Sequence, residues 1–93
     1  MVVGVCEVEL HIPGSSSLKT KRQVLRSLKD KLRRRLNVAV SETDHQDLWQ
    51  RARLSIVTVS NEAAVVHSVL SHAQNIVSAE ARVELIDVEV ELR

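Results

Sequence analysis

The chain contains no phenylalanine and no tyrosine, and its one large aromatic side chain is Trp49. RNA-binding sheets that stack bases place aromatic side chains on their central strands. We therefore do not expect a base-stacking platform on a sheet of this protein. Any nucleic acid would be held by its backbone or shape instead.

Cysteine and long apolar runs are equally scarce. The single cysteine, Cys6, cannot close an intrachain disulfide, which fits a reducing compartment, and its position in an alternating strand predicts a small core residue. No apolar run approaches the ~20 residues that span a bilayer, and the first residues, MVVGVCEVELH, lack the basic start and cleavage site of a signal peptide. We expect a cytoplasmic protein without a membrane partner.

The chain has only two glycines, and this scarcity decides how the segment PGSSSLKTKR (13–22) is interpreted. A nucleotide-binding P-loop reads GxxxxGK[ST], whereas Gly14 here is followed by SSSL and then directly by Lys19 and Thr20. The second glycine is missing, the spacing is one residue short, and no later apolar run ends in an aspartate for magnesium. ATP or GTP hydrolysis is excluded. The serines fit helix caps, and the helix start remains suited to an anion.

Metal-site and cofactor patterns are also missing. There is no cysteine pair, and His67 and His72, five residues apart, point about 140° away from each other on a helix. We predict neither a metal nor a cofactor.

Charged residues are numerous, and basic and acidic residues are distributed unevenly along the chain. Residues 19–35 hold nine of the thirteen lysines and arginines and only one acid, Asp30, whereas the rest of the chain carries four cations and eleven acids. The net charge of +1 hides this asymmetry. It predicts one basic face that attracts phosphates on an otherwise mildly acidic molecule.

Hydrophobic periodicity predicts six elements in one domain, residues 1–93. Alternation indicates strands at 2–12, 38–40, 52–59 and 86–92. Stripes at helical spacing indicate a helix from near Ser17 to Asn37 and a second one, capped by Ser60 or Asn61, with its apolar stripe at 66–77. Residues 41–50 form a connection in which Asp44 is suited to start one helical turn. This order predicts an α+β, ferredoxin-like βαββαβ sandwich, a four-stranded antiparallel sheet with both helices on one face.

Six cations of the first helix are candidate phosphate or RNA ligands. They are Lys19, Lys21, Arg22, Arg26, Lys29 and Arg33. Three of them, Lys19, Lys21 and Arg22, lie in the first turn, where the helix dipole disfavours positive charge. Lys21 also projects into the apolar stripe, about 60° from Leu18. It either extends past the sheet edge to water or faces a bound anion.

The outer face of the sheet combines acids with a valine patch. Glu7, Glu9, Glu89 and Glu91 are expected to face outward and to repel phosphates there. The patch consists of Val3 and Val5 on the first strand beside Val57 and Val59 on the antiparallel third strand. No helix is expected to cover it, so we predict a homodimer or a protein partner on this face.

The connection DHQDLWQ offers a further candidate. It places an imidazole, two carboxylates and an indole together, from Asp44, His45, Asp47 and Trp49, which suits general acid and base chemistry. Loops rich in Asp and His also serve as caps and turns, so a structural role is the alternative.

The segments SLKTKR, VLRSLKDKLRRRLNVAV, DHQDLWQRA and ELIDVEVEL together resemble the YlxP-like family of small bacterial proteins of unknown function. The matching residues are Ser17 to Arg22 and Asp44 to Arg51, and the chain departs at Leu36, where an aromatic is common. The resemblance implies a ferredoxin-like fold and, because such proteins tend to be encoded near translation and ribosome-maturation factors, a role around RNA or the ribosome. No enzymatic activity is established for that family. We therefore predict a non-enzymatic, RNA- or ribosome-associated protein.

Overall fold

A computed structural model describes all residues, Met1–Arg93. The elements follow in the order β1 (Val2–His11), α1 (Leu18–Arg35), β2 (Ala39–Asp44), β3 (Arg51–Ser60), α2 (Ala63–Ser78) and β4 (Glu84–Leu92). The strands form one antiparallel sheet in the order β2-β3-β1-β4. The predicted ferredoxin-like βαββαβ fold is confirmed.

Both helices pack on one face of this sheet, and the core lies between the two layers. From the sheet it contains Cys6, Val8 and Leu10 of β1 and Ala52, Leu54 and Ile56 of β3; the helices contribute Val24, Leu25, Leu28 and Leu32 of α1 and Val66, Leu70, Ala73 and Val77 of α2. The predicted apolar stripes supply these residues. Cys6 is fully buried, and burial, with the nearby Glu7, raises its pKa to about 11, so it is an inert core residue.

Gly4 of β1 allows α2 to approach the sheet closely. A Cβ at this position would overlap the side chains of Val66 and Leu70. The missing side chain is therefore part of the packing between α2 and β1.

The observed register confirms the predicted position of the valine patch. Val3 lies opposite Val59, and Val5 lies opposite Val57, in the β1–β3 pair. Because side chains alternate along a strand, these four residues share the outer face, which neither helix covers.

Several predicted boundaries are wrong. Strand β2 continues through residues 41–44, so the connection to β3 contains only residues 45–50, and Asp44 starts no helical turn. Helix α1 ends at Arg35, with Leu36 as its C-cap, rather than at Asn37. Helix α2 has Glu62 as its N-cap; Ser60 instead accepts a hydrogen bond from the Glu62 amide, 3.2 Å away.

Strand β4 departs from the predicted alternation. Its register against β1 shifts between Glu9 and Leu10, where Asp87 and Leu85 are the successive partners. This irregularity displaces Ile86, which is exposed rather than buried.

Candidate functional site

The start of helix α1 is a serine-capped turn. The Ser17 hydroxyl accepts a hydrogen bond from the Thr20 amide at 3.1 Å, and buried Ser15 donates from its hydroxyl to the Ser17 carbonyl at 3.0 Å. The predicted serine cap is confirmed for Ser17, whereas Ser15 supports the carbonyl of the capping residue. One of the amides that a phosphate would use is thus already occupied by the protein.

Lys21 faces neither water nor an open site for a bound anion, because its ammonium is enclosed by other parts of the protein. Its side chain is 1% exposed, and its ammonium donates to the Glu42 carboxylate at 2.9 Å and to the carbonyls of His45, Arg51 and Gln46 at 2.8, 3.2 and 3.4 Å. Both sequence-based interpretations of Lys21 are wrong. A buried ammonium surrounded by one carboxylate and three carbonyls is unavailable to phosphate, and it joins α1 to β2 and to the loop before β3.

The other five predicted phosphate ligands form a stripe along the outside of α1. Lys19, Arg22, Arg26 and Arg33 are exposed, and Lys29 is half-buried. At about 100° per residue, these five side chains lie on one side of the helix, and we call them the basic stripe. Four of them, with Leu25, Asp30 and Glu42, line a groove of about 400 Å³; these four are Arg22, Arg26, Lys29 and Arg33.

Most cations of the basic stripe have no acidic partner. Arg33 donates to the Val40 carbonyl at 2.8 Å and lies 4.0 Å from Asp30. No carboxylate lies within 4.0 Å of the charged groups of Lys19, Arg22, Arg26 or Lys29. Asp30 and Glu42 line the groove, but four of the five cations of the basic stripe have no direct ion pair.

The acids of the outer sheet face are largely compensated. Glu9 is buried, and its carboxylate accepts hydrogen bonds from Arg51 at 2.7 Å and Arg53 at 3.3 Å, while His45 Nε2 lies 2.8 Å away. Burial alone would raise the pKa of Glu9, but the two arginines and His45 outweigh it and hold the pKa below its ordinary value of 4.5. Arg53 also donates to Glu7 at 2.6 Å.

His45 connects this charge cluster to Lys21. Its backbone has φ of 64°, a left-handed conformation that histidine adopts more readily than most residues. The carbonyl accepts from Lys21, whereas the imidazole contacts Glu9 on the outer face. The predicted loop residue is therefore a structural link between the two layers.

A catalytic role for the loop would need a cleft that joins His45, Trp49 and the loop around Ser17. The shallow cavity that Trp49 lines with Asp47, Leu48, Gln50 and Arg51 includes neither His45 nor the Ser17 loop. His45 is directed at Glu9, and Asp47 and Trp49 are exposed. The structure does not bring these side chains into one enclosed site.

No three His, Cys, Asp or Glu side chains are grouped where they would hold a metal ion. Neither helix combines the length and apolar composition that a bilayer crossing requires.

Comparison with known proteins identifies the family. Residues 3–90 match the family described as Protein of unknown function (DUF503). The chain belongs to this family. It is also similar to the Uncharacterized protein YlxP of Bacillus subtilis (strain 168), with 38% identity over 60 residues, which is 64% of this chain and 65% of that relative. The match thus spans just under two thirds of the relative's length, and it confirms the YlxP-like resemblance.

Solved structures support the fold. A de novo designed protein with a ferredoxin fold, determined by solution NMR, superposes with a TM-score of 0.60 at 11% identity, covering 100% of this chain and 84% of that one. The de novo designed protein Foldit4 superposes with a TM-score of 0.56 at 13% identity, covering 98% and 96%. At such identities the likeness concerns the fold alone.

Sequence reasoning missed the partners of the buried charges. Glu42, Arg51 and Arg53 were not singled out, although period-two alternation from the buried Val40 places Glu42 on the helix-facing side of β2. An acid at that position, together with a lysine in the apolar stripe of α1, was the available signal of a buried ion pair.

Proposed function

We propose that this is a cytoplasmic, non-enzymatic protein that binds structured RNA, ribosomal RNA included, by holding phosphates along the basic stripe of α1. The observation that carries the proposal is the run of unpaired cations beside a groove, Arg22, Arg26 and Lys29. Such a run supplies the electrostatic part of nucleic-acid binding. The resemblance to proteins encoded near translation factors points to the same class of partner.

The helix dipole does not explain why these positions carry positive charge. Arginines in the last turn of α1, Arg33 to Arg35, complement the negative end of the helix dipole. Because α1 begins at Leu18, Arg22 starts the second turn and is not in the first turn as predicted. Arg26 and Lys29 lie mid-helix, and Lys19 lies in the first turn, where positive charge is unfavourable. A ligand with negative charge would offset this local cost.

The test measures affinity for a structured ribosomal RNA fragment at several salt concentrations. We expect log K to fall linearly with log salt, because phosphate contacts release counterions. Replacing Arg22 and Arg26 by glutamine should weaken binding and make the slope smaller by about 2, one for each lost contact. Lys21 is left unchanged, since its replacement would disturb the fold.

Arg34 and Arg35 provide the matched control. They are exposed, lack carboxylate partners and belong to the same helix, but they lie outside the groove. The Arg34→Gln, Arg35→Gln variant has the same net charge as the Arg22→Gln, Arg26→Gln variant and should keep most of the affinity and slope. Equal losses in the two variants would mean that net charge, and not the basic stripe, attracts the RNA.

We propose self-association through the outer sheet face as a second function. The observation that favours it is the patch of four adjacent valines, of which Val59 is 51% exposed. The surrounding charges on β1 and β3 pair with each other. This leaves the valine patch as the apolar part of the face, suited to the same patch on a second copy.

A further inference from the structure

The loop between β2 and β3, residues 45–50, is fixed in one conformation at both ends. Its carbonyls at His45 and Gln46 accept from buried Lys21, and the Leu48 amide donates to the His45 carbonyl at 3.0 Å. At the other end, the Gln50 amide group donates to the carbonyls of Pro13 and Ser15 at 3.2 and 3.1 Å. The Gln50 carbonyl accepts from the Ile12 amide at 2.9 Å. A loop held in this way is preorganised.

The fixed loop presents its largest apolar side chains to solvent. Leu48 is 47% exposed and Trp49 is 55% exposed. With Asp47, Gln50 and Arg51, they line a shallow depression of about 460 Å³. Asp47 is exposed and lies within 4.0 Å of no cationic group, so its carboxylate is free to accept hydrogen bonds.

This loop adjoins the basic groove. Glu42 lines the groove and accepts a hydrogen bond from the ammonium of Lys21, which also donates to the loop carbonyls of His45 and Gln46. Because Lys21 precedes Arg22 on α1 and contacts the loop, a strand of RNA whose phosphates follow Arg26 and Arg22 would extend toward the loop. Indole rings stack on nucleobases without regard to sequence, and a carboxylate accepts from an exocyclic amino group such as that of cytosine.

We propose that Trp49 stacks on one unpaired nucleobase of the bound RNA, and that Asp47 selects a base with an exocyclic amino group. The proposal rests on the proposed function and names its ligand class: a structured RNA with an unpaired cytosine, adenine or guanine beside the helical stem. The unpaired cations next to the loop favour RNA over an apolar protein partner, because they would remain unmatched against a neutral surface. The chain has no Phe or Tyr, so Trp49 in this loop is its only large aromatic side chain available for stacking.

Trp49 is the only tryptophan, and the chain has no tyrosine, so intrinsic fluorescence reports on this position alone. The probes are three RNAs with the same stem: a hairpin with a cytidine loop, a hairpin with a uridine loop, and a blunt duplex. Fluorescence of Trp49 reports stacking, and anisotropy of labelled RNA reports binding. We expect strong quenching with the cytidine hairpin, less with the uridine hairpin and none with the duplex.

Variants separate the contributions. Trp49→Ala should lose about tenfold in affinity for the cytidine hairpin and nothing for the duplex, in line with the loss of one stacked base. Asp47→Ala should remove the preference for cytidine over uridine. Val65→Ala, which changes another exposed apolar residue on α2, should bind all three RNAs like the parent.

Two results would overturn the stacking proposal while leaving the proposed function intact: salt-dependent hairpin binding with unchanged Trp49 fluorescence, or a Trp49→Ala variant that binds the cytidine hairpin at full strength. A Trp49→Ala variant that binds RNA normally but no longer self-associates would assign the loop to a protein contact and also overturn it. If none of the three RNAs binds at any salt concentration, the proposed function fails first.

Discussion

At the scale of single residues, Lys21 shows how one buried charge organises two layers. Its ammonium has four oxygen partners, one of them the carboxylate of Glu42 on β2, and these partners span residues 42–51. No buried side-chain nitrogen or oxygen in the structure lacks a hydrogen bond, so the cluster is fully satisfied. Removing one member of such a cluster lowers stability by more than the net contribution of its hydrogen bonds, because the remaining polar groups stay buried without a partner.

We predict that Lys21→Met lowers the free energy of unfolding by about 3–5 kcal/mol. Methionine fills a similar volume but removes the donor to the carboxylate of Glu42 and to the carbonyls of Gln46 and Arg51, whereas the His45 carbonyl keeps the Leu48 amide. Urea denaturation followed by circular dichroism measures the change.

Lys19→Met is the matched control for this prediction. It makes the same replacement two residues earlier, at an exposed side chain without a partner, and should change stability by less than about 0.5 kcal/mol. Equal stabilities for the two variants would mean that the cluster around Lys21 contributes nothing to the fold.

At the scale of elements, the contrast between α1 and β2 explains what the sequence predicts. Leucines at helical spacing and the Ser17 cap predict α1 from local signals alone. Residues 41–44 of β2, Ser-Glu-Thr-Asp, contain no apolar side chain and include residues that strands disfavour. They form a strand because they pair with β3, Glu42 opposite Leu54 and Asp44 opposite Arg53. Tertiary pairing of this kind leaves little local trace in a sequence.

In the candidate site, too, some features could be predicted from the sequence and others could not. Exposed cations can be predicted from a sequence, and five of the six lie on the outside of α1. The burial of Lys21 depends instead on Glu42 and on carbonyls of a loop. The left-handed conformation of His45 and its contact with Glu9 depend on the same loop. Backbone carbonyls carry no side-chain identity, so sequence patterns do not reveal them as ligands.

The turn between α2 and β4 is joined to α1 by a second charge cluster. Buried Glu80 accepts from the Arg82 guanidinium at 2.8 and 3.1 Å and from the Arg82 amide at 3.2 Å, and Lys31 of α1 lies 3.7 Å away. Hydrogen bonds from Arg82 chiefly, against the effect of burial, lower the pKa of Glu80 from 4.5 to about 2. Arg82 also donates to Ser27 of α1 at 3.1 Å.

This lowered pKa predicts an acid-sensitive contribution to stability. The stabilisation from Glu80 is complete above its unfolded pKa of 4.5 and disappears as the pH falls toward about 2, because the unfolded chain then binds the extra proton more readily. We expect Glu80→Gln to cost about 1–2 kcal/mol at pH 7, less than the full pKa difference implies, since half-exposed Arg82 is screened by solvent. The variant should also lose less stability than the parent between pH 5 and pH 2, measured by urea denaturation at each pH.

Asp47→Asn serves as the control, because it removes a carboxylate that is exposed and unpaired. Its pH profile should follow that of the parent. A Glu80→Gln profile that also follows the parent would show that the cluster at the α2–β4 turn does not couple stability to pH.

At the scale of the whole molecule, the unpaired positive charge lies in the helix layer and the valine patch lies on the outer face of the sheet. The helix layer carries the basic stripe, and the outer sheet face carries paired charges around the valine patch. RNA on α1 and a second copy on the sheet would therefore not compete for the same surface. A dimer that buries the outer sheet face of each copy would place its two basic stripes on opposite sides of the assembly. Two such binding sites would raise the apparent affinity for an RNA long enough to reach both.

Self-association through the valine patch is tested with two half-exposed valines on opposite layers. Val59→Asp introduces a charge into the patch and should make the protein monomeric in sedimentation velocity at tens of micromolar, because an unpaired carboxylate is costly to bury in an interface. Val65→Asp introduces the same charge on α2, at 44% exposure against 51% for Val59, and should leave the assembly intact. Both variants should retain short-hairpin binding, since neither residue belongs to the basic stripe. A parent protein that sediments as a monomer at these concentrations contradicts the dimer, and loss of assembly in both variants would place the interface elsewhere than on the sheet.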